Sequence, residues 1–508
     1  MRTETGMRER WWILAVVSSA LLLIVVDMTV LYTALPRLTH DLQATASEKL
    51  WIINAYGLVV SGLLLGAGAL GDRVGHKRLF CRGLVVFGAA SLWAAFSPSA
   101  QMLIAARAAL AIGAAMMMPS TLSIIRLVFE DDAERALAIG IWASVASGGA
   151  ALGPIVGGLL LEYFWWGSVF LINVPIVVAA LLLAWRLIPP LPGDPRRRWD
   201  WRGSLLVMAG LVGLAHGIKS LAQPQPSFAM VAAALAVGAA CLAWFVRAQR
   251  RQADPMLDLS LFRIPLFNCA VIAALVAAAG LVGMELMFTQ RLQLVLGQSP
   301  LQATMYLLPL PLASFVAGPL AGRLLPRLGG LRLLIWAKLV CAAGLAGFLW
   351  SQGMAVWAQQ AWLLVLGAGV GATMTAASHS IMMEAPPEQA GVAASVEEVS
   401  YELGGAIGVT LFGTVSSAVY GLTLQLPQGV PDAMRVRDSL DEALLVAETL
   451  PPDLAAALLA QAKQAFDNGY FATLVVSVAL YALAGGYAWH RWRASRNAGA
   501  GRREKPLK

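Results

Sequence analysis

The sequence predicts an all-α polytopic membrane protein of fourteen spans, built as two six-helix halves with two additional helices between them. Composition is the first observation behind this. Apolar residues make up 58% of the 508-residue chain and charged residues 13%, with a mean hydropathy of +0.69, far from a water-soluble globule. Secondly, the apolar residues gather in runs that meet the roughly 20 residues a membrane helix needs. Thirdly, a charged loop in the first half recurs in degenerate form half a chain later.

The spans fall near 11–35, 51–70, 79–97, 101–126, 136–160, 167–188, 203–222, 228–247, 266–289, 301–322, 333–351, 356–383, 392–420 and 468–490. The first follows Arg8 and Arg10 but is too long for a signal peptide and lacks a small-residue cleavage site, so it reads as a span. Residues 1–188 form the N-terminal six-helix half. Residues 189–265 hold a Pro-rich basic connector, Pro189 to Arg198, and the extra helix pair. Residues 266–490 form the C-terminal half, including an external segment at 421–467, and 491–508 are a basic tail. In that segment, Asp438–Leu445 and Leu454–Ala462 have the periodicity of short amphipathic helices, expected to form a cap or hairpin.

Of the 37 Lys and Arg, only Arg37, Lys49, Lys219, Arg291, Arg435, Arg437 and Lys463 fall on one side, and Arg107 lies within a span. The rest share the opposite side, which the positive-inside rule makes cytoplasmic; both termini lie there, in the inner (cytoplasmic) membrane. The net charge of +8 therefore reflects topology rather than nucleic-acid binding. Cys81, Cys241, Cys269 and Cys341 all sit in hydrophobic segments and read as packing residues. There is no metal-ligand spacing and no phosphate-binding glycine loop, so neither an enzyme nor an ATP-driven pump is expected, and no cofactor.

Asp27, in Leu21-Leu-Leu-Ile-Val-Val-Asp27, is the most informative residue. A carboxylate at such depth costs about 3 kcal/mol unless it faces a cavity, a partner or a proton. Arg107 stands a few residues into the fourth span. In the thirteenth, Glu398 and Glu402 at i, i+4 share a face, with Glu397 turned about 100° away; all three are candidates for proton coupling or substrate binding. Glu285 and His379 read as structural. Trp51, Asn54, Tyr56, Met116, Met117, Met118, Trp142, Tyr306 and Tyr401 are candidate cavity residues, since ring faces attract delocalised cations and Met re-packs around varied shapes. The glycines at 149, 153, 157 and 158 suit close helix approach, and Pro154 removes a backbone donor. Gly75 permits a tight turn among Asp72, Arg73, Lys77 and Arg78.

Gly68-x-Leu70-x-Asp72-Arg73-x-Gly75-x-Lys77-Arg78 resembles the loop signature of the major facilitator superfamily, repeated as Gly322 to Arg332 with Pro326 in place of Asp72. Gly149-Ala-Ala-Leu-Gly153-Pro154-Ile-Val-Gly157-Gly158 resembles the fifth-span motif of its antiporters. Leu103 to Gly113, around Arg107, and Asp27 to Pro36 resemble the fourth-span and first-span motifs of the fourteen-span drug:proton antiporters. The likeness is greatest to the quaternary-ammonium exporters of the QacA and SmvA type, including Phe170-Leu-Ile-Asn173-Val-Pro175 and Val396-Glu397-Glu398-Val-Ser-Tyr401-Glu402. Departures are Tyr32, where many relatives carry Asn, and Asn54 and Ser314, where an acid can stand; fewer acids count against divalent cations.

The resemblance implies a proton-coupled antiporter exporting lipophilic cations (quaternary ammonium antiseptics, dyes and biguanides), acting as a monomer. In it Arg107 takes part in proton exchange, the fifth-span motif limits leak, and Asp72 belongs to a cytoplasmic latch. The residues alone leave two other readings open: export of a neutral or zwitterionic metabolite, and a membrane sensor or scaffold.

Overall fold

The computed structural model describes residues 6–190, 193–194, 200–221, 227–252, 255–431 and 433–503; the basic run Arg196, Arg197 and Arg198 lies outside them. The first half comprises α1 (Met7–Asp41), α2 (Ala46–Val74), α3 (His76–Ala95), α4 (Ala100–Val128), α5 (Asp132–Tyr163), α6 (Ser168–Leu171) and α7 (Asn173–Leu187). Next come α8 (Trp201–Leu221) and α9 (Phe228–Gln249), then α10 (Pro265–Gln290), α11 (Pro300–Leu307), α12 (Pro309–Leu328), α13 (Gly330–Trp350), α14 (Val356–Glu384) and α15 (Ala390–Thr423). Short α16 (Ala433–Asp438) and α17 (Leu440–Ala447) precede α18 (Pro452–Arg503). With α6–α7 and α11–α12 each counted as one broken span, fourteen helical segments among the described residues are long and apolar enough to cross a membrane.

The internal repeat is visible in the backbone. Gly75 ends α2 and opens α3 at φ +97°, and Gly329 does the same between α12 and α13 at φ +78°. Both turns need a left-handed residue that only glycine adopts cheaply. Pro326, standing where the first copy has Asp72, lies inside α12. The connector is tied to the first turn, its Asp194 N–H donating to the Asp72 carbonyl at 2.9 Å.

The two halves meet at the end that carries these turns. Here Gly68 of α2 has no room for a side chain against Gly391 and Ser395 of α15, and Gly140 of α5 likewise abuts Gly318 of α12. Arg126, buried at the foot of α4, donates to the carbonyls of Ala385 (2.5 Å) and Pro386 (3.4 Å). The extra pair is not peripheral: α8 packs beside Gly62 of α2 through Met208 and Val212, and Ile218 accepts from Thr410 Oγ1 of α15 at 2.9 Å. It therefore bridges the two halves, with α9 stacked behind it on α8.

One expectation for the external segment is corrected. Leu454–Ala462 is not a separate cap helix but the beginning of α18, which runs unbroken from Pro452 through the last span to Arg503. Between Leu454 and Asn468 it meets no glycine and no proline. The earlier stretch does form a small cap: Leu440, Ala443 and Val446 of α17 are buried with Leu458 and Ala462, and the Tyr420 hydroxyl donates to the Val436 and Ser439 carbonyls at 3.0 and 3.2 Å.

Candidate functional site

Asp27 lies halfway along α1 and is wholly enclosed. Its Oδ2 accepts from Arg107 Nη1 at 2.7 Å and its Oδ1 from Asn173 Nδ2 at 2.9 Å. A carboxylate has only acceptors, so the amide nitrogen of Asn173 is the atom that faces it. That amide reaches Ser91 at 3.3 Å, and the Arg107 guanidinium covers the Tyr56 ring at 4.5 Å. Arg107 is thus not snorkelling to a surface: it is 2% exposed and its charge is directed at Asp27. Arg107 Nε, the Tyr56 hydroxyl and Asn173 Oδ1 are buried without partners. A charge pair this deep, with unsatisfied polar atoms around it, is costly unless it performs work.

The local backbone sets the surroundings of Asp27 on α1 and the position of Asn173. A side chain on Gly153 of α5 would stand 1.8 Å from Thr29 Oγ1, and those on Gly149 and Gly157 would meet Val25 and Val30. The fifth-span stripe therefore lets α5 press on α1 at both flanks of Asp27, rather than against the second half. Gly158 departs from the expectation: nothing lies within 4 Å of where its Cβ would be, because one further residue turns it off the stripe. Pro154 lies within α5. The break at Ile172 places Asn173 as the first residue of α7, pointing inward.

A second cluster sits on α15. Glu397 is fully buried and accepts from Ser378 of α14, while the Tyr401 hydroxyl approaches both without a well-formed hydrogen bond. Glu398 is 5% exposed and its Oε1 has no partner. Both stand beyond the first turn of α15, so helix-dipole stabilisation does not explain them. Glu402, one turn further, is half-buried.

The two clusters stand on different helices, Asp27 on α1 and the three glutamates on α15. Tyr56, under the Arg107 guanidinium, is within electrostatic range of both Asp27 and Glu402. Tyr32 is more open. It is 62% exposed, yet charges from α4 (Arg107), α10 (Glu285) and α15 (Glu402) surround it, so it faces the space between the halves. Glu285 is exposed to that space too, a correction to its structural reading. The Nε2 of His379, read as structural, is buried without a partner.

Other candidates are placed elsewhere. Met116 lines an outward groove with Cys81, Arg82, Val85, Val86 and Leu181, and Met117 packs on Gly83, so neither reaches the centre. Met118 is core. Trp142 is 2% exposed and donates to Thr121 at 3.1 Å, which fastens α5 to α4. Tyr306 donates to Gln359 within the second half. Trp51 is exposed at the start of α2, and Asn54 is half-buried. At the basic end, Asp72 accepts from the backbone N–H groups of Gly391 (2.8 Å) and Val392 (3.2 Å), the free N-terminus of α15, and contacts His76 Nε2 at 3.1 Å. Arg73 and Arg78 are exposed, and Lys77 donates to the Trp185 carbonyl at 2.8 Å. Sequence reasoning gave no role to Asn173, Ser91, Ser378 or Tyr32, and overlooked Lys338, a buried cation whose Nζ donates to the Ala273 carbonyl at 2.8 Å. Its position in the apolar run Leu333–Val340 was the available signal. No group of three or more metal-binding side chains occurs among the described residues.

Two six-helix bundles closed at one end, with buried ionisable groups at mid-helix, define a membrane transporter and not an enzyme. The sequence matches the Major Facilitator Superfamily over residues 17–409, and the chain belongs to that family. It is 39% identical to the methyl viologen resistance protein SmvA of Salmonella typhimurium, over 91% of this chain and 94% of that protein. It is 40% identical to the multidrug efflux pump LfrA of Mycolicibacterium smegmatis, over 94% and 95%. In fold it resembles the human organic anion transporter MFSD10 (TM-score 0.64, 15% identity, 94% and 99% covered) and the proton:xylose symporter XylE (0.62, 14%, 95% and 96%). The names of these two relatives print resistance to methyl viologen in one case and multidrug efflux in the other.

Proposed function

We propose that this chain is a proton-coupled multidrug antiporter of the inner membrane, both termini cytoplasmic, which exports lipophilic cations in exchange for protons by alternating access. The observation that carries this reading is the enclosed Asp27–Arg107 pair in the first half combined with Glu397 and Glu398 in the second. Acids retained at such cost are the groups through which a proton gradient can act. Tyr32, Glu285 and Glu402 supply what a lipophilic cation needs, a ring face and negative charge in an open space between the halves. With the halves joined at the basic end, this arrangement corresponds to an outward-open state, and Asp72 on the α15 N-terminus is its latch.

Quaternary ammonium antiseptics, cationic dyes and biguanides fit this lining. The name of the SmvA relative also favours a doubly charged substrate, since methyl viologen is a dication; Glu285 and Glu402 offer it two carboxylates despite Asn54 and Ser314. Proteoliposomes with an imposed proton gradient test the reading. A lipophilic cation such as ethidium should drive proton movement in the opposite direction, and dissipating the gradient should stop cation accumulation. Accumulation that continues in uncoupled vesicles, or a response to neutral compounds alone, would overturn it.

A further inference from the structure

At the basic end, on the outer surface of the second half, α13 and α18 enclose a cavity of about 210 Å³ lined by Arg332, Ile335, Trp336, Trp489 and Trp492. Arg332 stands in the first turn of α13, and Trp489, Trp492 and Arg493 share one face at the far end of α18. The guanidinium of Arg332 lies 5.5 Å from the Trp492 ring and that of Arg493 lies 5.0 Å from the Trp489 ring, with the two indoles 5.1 Å apart. Trp336 and Trp489 remain 59% and 40% exposed, turned away from the protein.

Among the described residues, no carboxylate pairs with Arg332 or Arg493. Arg291, which also lies over aromatic rings, has Asp467 at 2.7 Å. Two unneutralised guanidinia on a tryptophan floor, where the helices leave the apolar region, form a surface with one sign of charge beside an apolar groove. Indole rings settle at headgroup level, and guanidinium matches a phosphate diester in shape and charge.

We propose that this cavity is a binding site for an anionic phospholipid of the adjoining leaflet, its phosphate held by Arg332 and Arg493 and an acyl chain lying along Ile335 and Trp336. The site is independent of the transport reading, and its occupant is the lipid headgroup in place rather than a soluble anion. The full chain, purified in detergent and exposed to phosphatidylglycerol or phosphatidylcholine, can be followed by native mass spectrometry. Phosphatidylglycerol should be retained in preference to phosphatidylcholine. Each basic residue near a membrane surface contributes about 1 kcal/mol to such binding, so Arg332→Gln and Arg493→Gln should each lower retention about fivefold and the double variant more. Trp492→Leu should lower retention while preserving charge, and Arg247→Gln, a matched charge removal at the end of α9, should leave it unchanged. Equal retention of the two lipids, an unaltered double variant, or an equal loss in Arg247→Gln would overturn the proposal.

Discussion

Replacing Asp27 by Asn preserves shape and one hydrogen-bond acceptor but strands the Arg107 guanidinium, which is 2% exposed and has no other carboxylate at 2.7 Å. Breaking a buried ion pair by removing one partner costs about 3–5 kcal/mol, most of it the penalty of the remaining charge. Arg107→Gln strands Asp27 in turn, although Asn173 still donates to it at 2.9 Å, so that variant should suffer less. With both replaced no uncompensated charge is left, and the double variant should be more stable than Asp27→Asn alone. A coupling of about 0.5–3 kcal/mol is the range for contacting residues, and the upper part is expected here. Thermal unfolding of the purified chain, followed by loss of monodisperse material, gives the order native, double variant, Asp27→Asn. Strictly additive losses would refute the reasoning that the pair is a mutual neutralisation. Transport separates structure from mechanism, because both variants lacking Asp27 should fail to export a cationic dye even where the fold is recovered. A stable double variant that exports at the native rate would show that Asp27 is structural.

Gly153→Ala forces a Cβ to within 1.8 Å of Thr29 Oγ1 and should cost about 1–3 kcal/mol with loss of export, while Gly158→Ala, facing open space, should stay within about 0.5 kcal/mol in the same unfolding assay. Asp72→Asn removes a full charge from the α15 N-terminus, worth about 0.3–2 kcal/mol; distance measurements between spin labels on the two halves at the basic end should show a larger inward-open population, and an unchanged distribution would remove Asp72 from the latch. Glu398→Gln and Glu402→Gln should each reduce cation-induced proton release from proteoliposomes, the larger effect marking the acid through which coupling runs. Full release in both single variants and in the double would exclude α15 from coupling.

The spans were legible because hydrocarbon imposes a minimum length on any helix that crosses it, and the fourteen apolar runs express that length directly. The repeat was legible because a left-handed turn demands glycine, and Gly75 and Gly329 occupy matching places. Asp27 stood out because its cost in an apolar run is large wherever it points. What it points at was decided only by the tertiary structure: Arg107 and Asn173 lie 80 and 146 residues away and reach one carboxylate because α4 and α7 both pack on α1, with the break before α7 setting Asn173 at its first position. The misplacement of Met116, Trp142 and Tyr306 has a related cause. In a water-soluble helix the polar face reveals which side is outside, but a membrane helix is apolar toward lipid and toward its neighbours alike, so periodicity carries no direction. Which aromatic ring faces the space between the halves, Tyr32 and not Trp142, is fixed by how the helices pack against one another and by nothing local in the chain.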